Sequence, residues 1–482
     1  MALFPGRKKH KKLILILLIG QLFCSVPSNS YSQDSKKYDP TTLVFPSFLH
    51  TYGIRKATRF HLFLFTRNKV QFDDPQGLAV VRLACWEDTT TANDDDEVTV
   101  YGVNSGQNCI IYNRSMRSLG IYGLDEPGTQ RLNRPRGIAA NEKGEVYVAD
   151  TGNHRIVKLF NPGDDLLFKS SIGKKGTGQN EFNQPYGVAL DSQGILYVTD
   201  SQNNRIQVYS ADLQFENQWG NPGKLPGQLT TPDGIAVVDR NERWNYFREE
   251  FIVVIDLNNS RIQQFTPQGY FIRGIKASQF GYPECQLAYI AMDYYNNIYV
   301  TDTKNHCIHK FDHYLNYLTS YGRYGKGDKE FIEPRGITIY RRFGQVFVAE
   351  KGGAQYYWIG TDCFDLSIEK NSNINGIRMK YFLTEPSFIT TDILDSDRHL
   401  ITRIWTKQFR RTGKQIDYWN GHIWAVDDSV FIKEKMKPST LFQNLRTIPP
   451  GTYFLRFKIE PTYSSYHYFD RIFTREFLIS DD

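Results

Sequence analysis

A carboxylate, an imidazole and a guanidinium group lie close together in the segment GEVYVADTGNHRIVKLF, residues 144–160. Asp150 and His154 are residue types that transfer protons or bind metal ions, and Asn153 and Arg155 stand beside them. Alternating apolar residues on both sides predict two strands joined by a tight turn. The polar cluster therefore performs chemistry or shapes the turn, and one copy does not decide between the two.

The same polar positions recur along the chain, and their recurrence favours the turn. The carboxylate position is occupied by Asp150, Asp200, Asp256, Asp302 and Glu350. The arginine position is occupied by Arg155, Arg205 and Arg261. A catalytic centre needs unlike groups that converge once. Groups that occur once per repeat instead predict a structural role, because Asp and Asn side chains bond to nearby backbone in tight turns.

A second motif, Pro-x-Gly followed by an apolar residue and Ala or Thr, marks the start of each repeat. Its five copies read PQGLA, PRGIA, PYGVA, PDGIA and PRGIT, with prolines at Pro75, Pro135, Pro185, Pro232 and Pro334. The last gap is twice the period, which places a sixth unit near Gln286, where QLAYIA keeps the apolar pattern. Four short alternating segments per unit of about 50 residues are typical of a β-propeller blade.

These motifs resemble the NHL repeat, since several copies share Pro-x-Gly, the Asp that ends the second strand and Asn-x-Arg after it. The resemblance covers roughly residues 58–368 and implies a six-bladed NHL β-propeller. The segment RFHLFLFTR, residues 59–67, precedes DDPQG much as LTSYGRYG precedes EPRG. We therefore expect residues 59–67 to form an outer strand that closes the last blade and leaves no free edge.

One face of this propeller is the predicted ligand face, because first-strand starts and second-to-third-strand turns lie at the same end of a blade. The predicted binding residues are the variable x of Pro-x-Gly, namely Gln76, Arg136, Tyr186, Asp233 and Arg335. The turns add His154, Asn204, Ser260 and His306. The scaffold repeats while these positions differ, as at a binding surface, and a merely solvated rim is the alternative.

Two insertions enlarge the opposite face. The insertion DRNERWNYFREEF, residues 239–251, suits a protein interface, with Trp244 and Tyr246 as its predicted binding residues. Packing of this insertion onto its own blade is the equal alternative. The insertion EDTTTANDDDE, residues 87–97, is acidic but lacks the Gly and the distal Glu of a calcium-binding EF-hand loop. We interpret it as a solvated loop.

Catalysis on the propeller axis is the alternative function. Some secreted NHL-like propellers are lyases whose metal is held by turn histidines, and the resemblance implies such a role for His154 and His306. Catalytic zinc needs three protein ligands, whereas these two histidines fall on opposite sides of the ring. The first strands are apolar or carry carboxylates only at the far end, which argues against an axial calcium hydrolase. We therefore predict no catalytic residue, no metal and no cofactor, with glycan binding through Tyr186 as a further alternative.

The repeat stops near residue 373, and residues 369–482 predict an Ig-like β-sandwich. The segment resembles the FlgD-type domain of flagellar hook-cap proteins, which has a Trp-x-Gly turn and a Pro-x-Gly-x-Tyr strand. The matching residues are Trp419, Gly421, Pro450, Gly451 and Tyr453. Sorting domains of some bacterial secretion systems share this strand pattern, so surface export is a variant of the prediction. The complete fold prediction is all-β, a six-bladed propeller followed by a sandwich.

The first residues have the order of a secretory signal peptide, predicted at 1–32, with a linker at 33–57. Five positive charges precede an apolar run, Leu13 to Phe23, which is too short to span a bilayer. Cys24 makes a lipidated anchor the alternative. We therefore expect an exported bacterial protein of the periplasm, the outer membrane or the cell surface, with no transmembrane span in the mature chain.

Charge and cysteine content exclude other classes of protein. Without the five basic residues of the leader, basic and acidic residues nearly balance, which excludes the basic footprint of a nucleic-acid-binding protein. The five remaining cysteines are scattered, and no C-x-x-C pair marks a structural zinc site. The prediction is a non-catalytic binding or scaffold protein that joins protein partners in an envelope or surface assembly.

Overall fold

The computed structural model describes residues 40–46, 55–86, 98–115, 118–371, 376–424, 445–463, 469 and 471–480. The predicted signal peptide, most of the predicted linker and the acidic insertion 87–97 lie outside these residues. Strands dominate the described chain, and the predicted all-β class is confirmed. Within these ranges, no helix is both long enough and apolar enough to cross a membrane.

Six sheets follow one another along the chain, and each is an antiparallel meander of four strands or their equivalent. The elements before the first sheet are β1 (Leu43–Val44), β2 (Lys56–Ala57) and α1 (Arg59–Thr66). Blade one contains β3 (Pro75–Val81), β4 (Thr99–Asn104), β5 (Cys109–Ser115) and β6 (Ser118–Tyr122). Blade two contains β7 (Ile138–Ala140), β8 (Glu145–Asp150), β9 (Arg155–Phe160) and β10 (Leu167–Ile172). Blade three contains β11 (Pro185–Leu190), β12 (Leu196–Asp200), β13 (Arg205–Tyr209) and β14 (Phe215–Trp219).

The second half of the ring repeats this pattern. Blade four contains β15 (Pro232–Val238), β16 (Phe251–Asp256), β17 (Arg261–Phe265) and β18 (Phe271–Lys276). Blade five contains β19 (Leu287–Met292), β20 (Ile298–Asp302), β21 (Cys307–Phe311) and β22 (Tyr317–Tyr321), so the predicted sixth unit near Gln286 is present. Blade six contains β23 (Ile337–Tyr340), β24 (Gln345–Glu350) and β25 (Gly353–Ile359). Short 3-10 helices lie at Ala84–Trp86, Ser105–Gln107, Gly128–Gln130, Thr151–Asn153, Ser201–Asn203, Leu257–Asn259 and Ala277–Phe280.

The inner strands close the six sheets into a ring. Each inner strand contacts the inner strand of the next blade, and β23 contacts β3. The glycines of Pro-x-Gly permit this approach, because a Cβ on Gly137 would lie 2.4 Å from the carbonyl oxygen of Tyr186. The same atom on Gly336 would lie 2.1 Å from the carbonyl oxygen of Gln76. Apolar side chains of the middle strands, such as Val146 and Val198, are fully buried between blades.

The N-terminal segment closes blade six, but with different residues from those predicted. β1 and β2 both pair with β25, through Leu43 opposite Ile359 and Ala57 opposite Ala354. The predicted closing strand, residues 59–67, is wrong: residues 59–66 form helix α1. Thr58 caps this helix together with His61, and Leu62 and Thr66 are buried one turn apart. The continuous apolar run is compatible with the two-residue period of a strand and with the 3.6-residue period of a helix. The cap at Thr58 favours the helix.

The C-terminal part contains a four-stranded and a three-stranded sheet that share one apolar core, together with a short two-stranded sheet. Its strands are β26 (Cys363–Asn371), β27 (Gly376–Leu383), β28 (Ser387–Leu394), β29 (Leu400–Arg410), β30 (Gly413–Trp419), β31 (His422–Trp424), β32 (Leu445–Thr447), β33 (Gly451–Pro461) and β34 (Arg471–Ile479). The predicted boundary at 368 divides β26, which pairs with β27 and not with blade six. The FlgD-type Ig-like assignment stays a prediction.

Candidate functional site

The repeated carboxylates build the turn after the second strand of each blade. In blade two, Asp150 accepts hydrogen bonds from the backbone N–H of Asn133 (2.6 Å), the amide of Asn153 (2.8 Å) and Nε of Arg155 (2.7 Å). Asp200 makes the same contacts in blade three, where Gln207 adds a fourth donor at 3.2 Å. Each carboxylate ties the linker before a blade to that blade, so the predicted turn role is confirmed.

The two turn histidines also join neighbouring blades. Nδ1 of His154 accepts the backbone N–H of Gln184 at 3.1 Å, and Nδ1 of His306 accepts that of Glu333 at 3.0 Å. Asn204 accepts the backbone N–H of Thr231 in the same way, at 2.8 Å. All three residues have a left-handed backbone conformation, and His154 and Asn204 stand at the end of a 3-10 turn. The histidines therefore take the place of asparagine in a structural hydrogen bond.

The predicted x residues converge around the propeller axis and contact one another there. The carboxylate of Asp74 pairs with Arg335 across the junction between blades six and one, and with Arg136 at 3.6 Å. It also accepts the side-chain amide of Gln76 at 2.8 Å. Gln76 is fully buried, and the guanidinium groups of both arginines are only about a quarter exposed. This axial cluster ties the first, second and last blades together.

Tyr289 fills the axis where the Pro-x-Gly motif is missing. It occupies the glycine position of blade five, and its hydroxyl donates to the side-chain oxygen of Gln76 at 3.1 Å. Its ring lies 5.6 Å from that of Tyr186, which has the Arg136 guanidinium on it at 5.8 Å. Aligning QLAYIA with the Pro-x-Gly segments would have found this residue. The predicted site residues thus surround the side chain of Tyr289 at the propeller axis.

Asp233 completes the axial cluster as a buried acid. Its side chain is 6% exposed, and Oδ1 accepts the hydroxyl of Ser201 at 3.4 Å. Burial raises the pKa of Asp233 to about 7, while the hydrogen bond from Ser201 and the charge of Arg136 oppose the rise. This carboxyl group is therefore partly protonated at neutral pH.

The insertion 239–251 lies away from the axis, and its aromatic residues are partly used in packing. Trp244 is flanked by the guanidinium groups of Arg243 at 4.8 Å and Arg342 at 5.4 Å. Tyr246 packs edge-on against Tyr294 but keeps 44% of its surface exposed. The insertion therefore packs on the propeller and also leaves one aromatic residue open. The binding role of Trp244 and Tyr246 stays a prediction.

Helix α1, near the ring closure, carries an apolar surface segment. Its exposed large side chains are Phe60 (60%), Phe63 (57%), Leu64 (58%) and Phe65 (40%). Contiguous exposed apolar side chains mark interaction surfaces. Arg59, Arg67 and Lys69 are also exposed and border this apolar face. The sequence-based strand assignment missed the face, although the Thr58 cap and the run FHLFLF were visible.

Comparison with known proteins identifies the repeat. Residues 132–159 and 182–209 match the NHL repeat family. The chain contains NHL repeats. Protein brain tumor of Drosophila melanogaster is 27% identical to this chain over 149 residues, which is 30% of this chain and 13% of that protein. This chain therefore matches only a small part of that relative's length.

Several solved structures are similar to part of this chain. A catalytically inactive variant of virginiamycin B lyase from Staphylococcus aureus, with quinupristin, is 16% identical; the match covers 56% of this chain and 79% of the lyase, with a TM-score of 0.39. A protein of unknown function from Bacteroides thetaiotaomicron is 19% identical; the match covers 60% of this chain and 70% of the other, with a TM-score of 0.42.

Proposed function

We propose that this NHL propeller protein is a non-catalytic binding protein that docks a protein partner on the apolar face of α1. The observation that carries the proposal is the exposure of Phe60, Phe63, Leu64 and Phe65 on a helix of eight residues. Leu62 and Thr66 are the two residues of the helix whose side chains are buried. Leaving four large apolar side chains in water costs free energy, and a partner surface would remove that cost.

The charges next to the face define the chemistry of the partner. The helix and the turn after it carry Arg59, Arg67 and Lys69, and residues 55–72 contain no Asp or Glu. A complementary partner has an apolar groove with carboxylates at its border, because charge complementarity raises the association rate and the specificity. Aromatic side chains at the centre of such a contact supply most of its free energy.

The contacts at the propeller axis support the non-catalytic part of the proposal. Asp74, Arg136, Arg335 and Gln76 are bonded to one another, and Tyr289 fills the space between them. The Tyr186 ring is already in contact with Tyr289 and Arg136, so we do not extend the proposal to glycans. The leader sequence supports export, and we place the partner in an envelope or surface assembly.

The test uses a photo-crosslinking phenylalanine analogue in the full-length chain. Placed at Phe60, the analogue is expected to give one discrete adduct; placed at Tyr270, which is 73% exposed on blade four, it is the matched aromatic control. The adducted protein is identified, purified and titrated against the chain. The variant Phe63→Ser with Leu64→Ser should abolish binding, whereas Leu225→Ser, at a residue that is 67% exposed, should leave it unchanged.

Three outcomes contradict the proposal. Equal adducts from Phe60 and Tyr270 would show nonspecific contact. Unchanged affinity in the Phe63 and Leu64 double variant would place the partner elsewhere. Flotation with phosphatidylglycerol vesicles that is lost in the same double variant would make α1 a lipid-binding helix instead of a protein-docking one.

A further inference from the structure

The network after the second strand changes its chemistry in blade five. In blades three and four, the Asp is followed at fixed spacing by an Arg and a Gln, as in Asp256, Arg261 and Gln263. Arg261 pairs with Asp256 at 2.6 Å, and Gln263 donates to the same carboxylate at 3.2 Å. In blade five the corresponding residues are Asp302, Cys307 and His309. A cation and an amide have thus been replaced by a thiol and an imidazole.

All three blade-five side chains are buried, and their ligand atoms converge. Nε2 of His309 lies 3.1 Å from Oδ2 of Asp302 and 3.8 Å from Sγ of Cys307. The three ligand atoms lie within 4.8 Å of one another. Tetrahedral zinc with bonds of about 2.0–2.3 Å requires ligand atoms roughly 3.3–3.8 Å apart. The two distances from Nε2 of His309 are close to that range, and a small approach of the Asp302 and Cys307 side chains would complete the geometry.

The surroundings orient His309 in the way that metal-binding histidines are oriented. Its second ring nitrogen, Nδ1, is 2.7 Å from the hydroxyl oxygen of Ser320, which is in turn 2.8 Å from that of Tyr317. A metal-ligating imidazole commonly donates its other N–H to an oxygen acceptor. Phe280 and Tyr282 pack on the ring at 5.1 and 4.4 Å and hold its orientation.

We propose that Asp302, Cys307 and His309 bind one zinc ion inside blade five. A carboxylate, an imidazole and a thiolate form a ligand set suited to zinc. Tetrahedral zinc then has one further coordination position, which a water molecule completes. The ion takes the place of the arginine cation that neutralises the carboxylate in blades two, three and four.

Zinc binds the thiolate form of cysteine, so binding of the ion releases the proton of the Cys307 thiol to solvent, and this release favours binding at higher pH. The site lies outside the axial cluster and does not depend on the proposed function.

Blade one supplies a matched control for the thiol. Cys109 occupies the same position as Cys307 and is also buried, but its neighbours at the other two positions are Asn104 and Ile111. Asn104 donates to the Cys109 sulfur at 3.7 Å. A lone thiol beside an amide lacks the set of ligands that zinc requires.

The test is metal analysis of the full-length protein after dialysis against zinc and then against metal-free buffer. We expect one zinc per chain in the wild type and in Cys109→Ser. His309→Gln, which introduces the glutamine of blades three and four, and Cys307→Ser should each lower the zinc affinity at least 10-fold. Cobalt added to the metal-free wild type should give a thiolate-to-cobalt absorption band that is absent in Cys307→Ser.

Either of two results overturns the proposal. A zinc content of the wild type well below one per chain rules out the site. Equal zinc contents in wild type, His309→Gln and Cys307→Ser would assign the ion to other residues. Far-ultraviolet circular dichroism and the thermal midpoint of each variant confirm that it is folded, and His309→Gln keeps the comparison valid where Cys307→Ser is unstable.

Discussion

Lys310 of blade five forms a buried ion pair with Glu385 of the C-terminal part, and both side chains are almost completely excluded from solvent. Asp293 stands beside the pair, because the amide of Asn297 donates to both Asp293 (3.0 Å) and Glu385 (3.2 Å). Two carboxyl groups thus share one ammonium group. Burial and the charge of Asp293 raise the pKa of Glu385 to about 8, which Lys310 opposes, so the cluster retains one proton at neutral pH.

Stability should decrease with pH because of this proton. The carboxyl group of Glu385 ionises near its ordinary pKa of 4.5 in the unfolded chain but only near 8 in the folded one. Its contribution to stability is therefore complete below about pH 4.5 and is lost as the pH rises through 8. Glu385→Gln should remove this component, so its thermal midpoint should fall less between pH 5 and pH 8 than that of the wild type.

Calorimetric scans across this range check the prediction. Glu369→Gln is the control, because Lys380 and Arg378 lower the pKa of the exposed Glu369 and its titration lies outside the window. Parallel pH profiles for wild type and Glu385→Gln would contradict the assignment.

Removal of the cation from the same cluster should be costly. Lys310→Met leaves Asp293 and Glu385 buried without the ammonium group, and breaking a buried ion pair typically costs about 3–5 kcal/mol. Denaturant unfolding of the full-length chain measures the loss. Lys304→Met, which removes an exposed ion pair with Glu284, should change stability little. Equal losses of stability in the two variants would show that the buried ion pair of Lys310 contributes no more to stability than the exposed pair of Lys304.

The ring was predictable from the sequence because a propeller repeats its own signals. Pro75, Pro135 and their counterparts recur at a blade's spacing, and each neighbouring glycine is required by the close approach of inner strands. The closing segment was not predictable by the same means, because the run at 60–65 is apolar throughout and fits a helix and a strand equally well. Contacts such as that of Lys310 with Glu385 join segments that do not belong to the same repeat. The spacing of residues in the sequence therefore does not predict them.

The candidate sites were predictable only in part, for a similar reason. Convergence of the x residues on one face followed from blade geometry, whereas their mutual ion pairs depend on side-chain reach across the axis. Tyr289, Cys307 and His309 appear in the sequence as departures from the repeat. A change in the repeat sequence shows where one blade differs from the others. The distance between the His309 and Cys307 side chains is also needed before these residues can be recognised as a set of metal ligands.

The repeated turn carboxylates should each be important for stability. Asp256 is fully buried, and Arg261 (5% exposed) donates to it at 2.6 Å. Asp256→Asn removes the charge and leaves the guanidinium buried without a counterion, which should cost about 3–5 kcal/mol. Glu284→Gln removes an exposed carboxylate from the next linker and serves as the control. Urea unfolding compares the two variants, and a small loss for Asp256→Asn would mean that neutral hydrogen bonds suffice in the turn.

A single methyl group added at the ring closure should also lower the stability of the protein. The Cβ of Gly336→Ala would lie 2.1 Å from the carbonyl oxygen of Gln76, and backbone rather than a flexible side chain must move to accommodate it. Overpacking of this kind costs about 1–3 kcal/mol. Gly352→Ala in the same blade meets no atom within 4 Å and should change stability by less than about 0.5 kcal/mol. If both variants unfold at the same denaturant concentration, the junction between blades six and one is looser than the inner-strand contacts indicate.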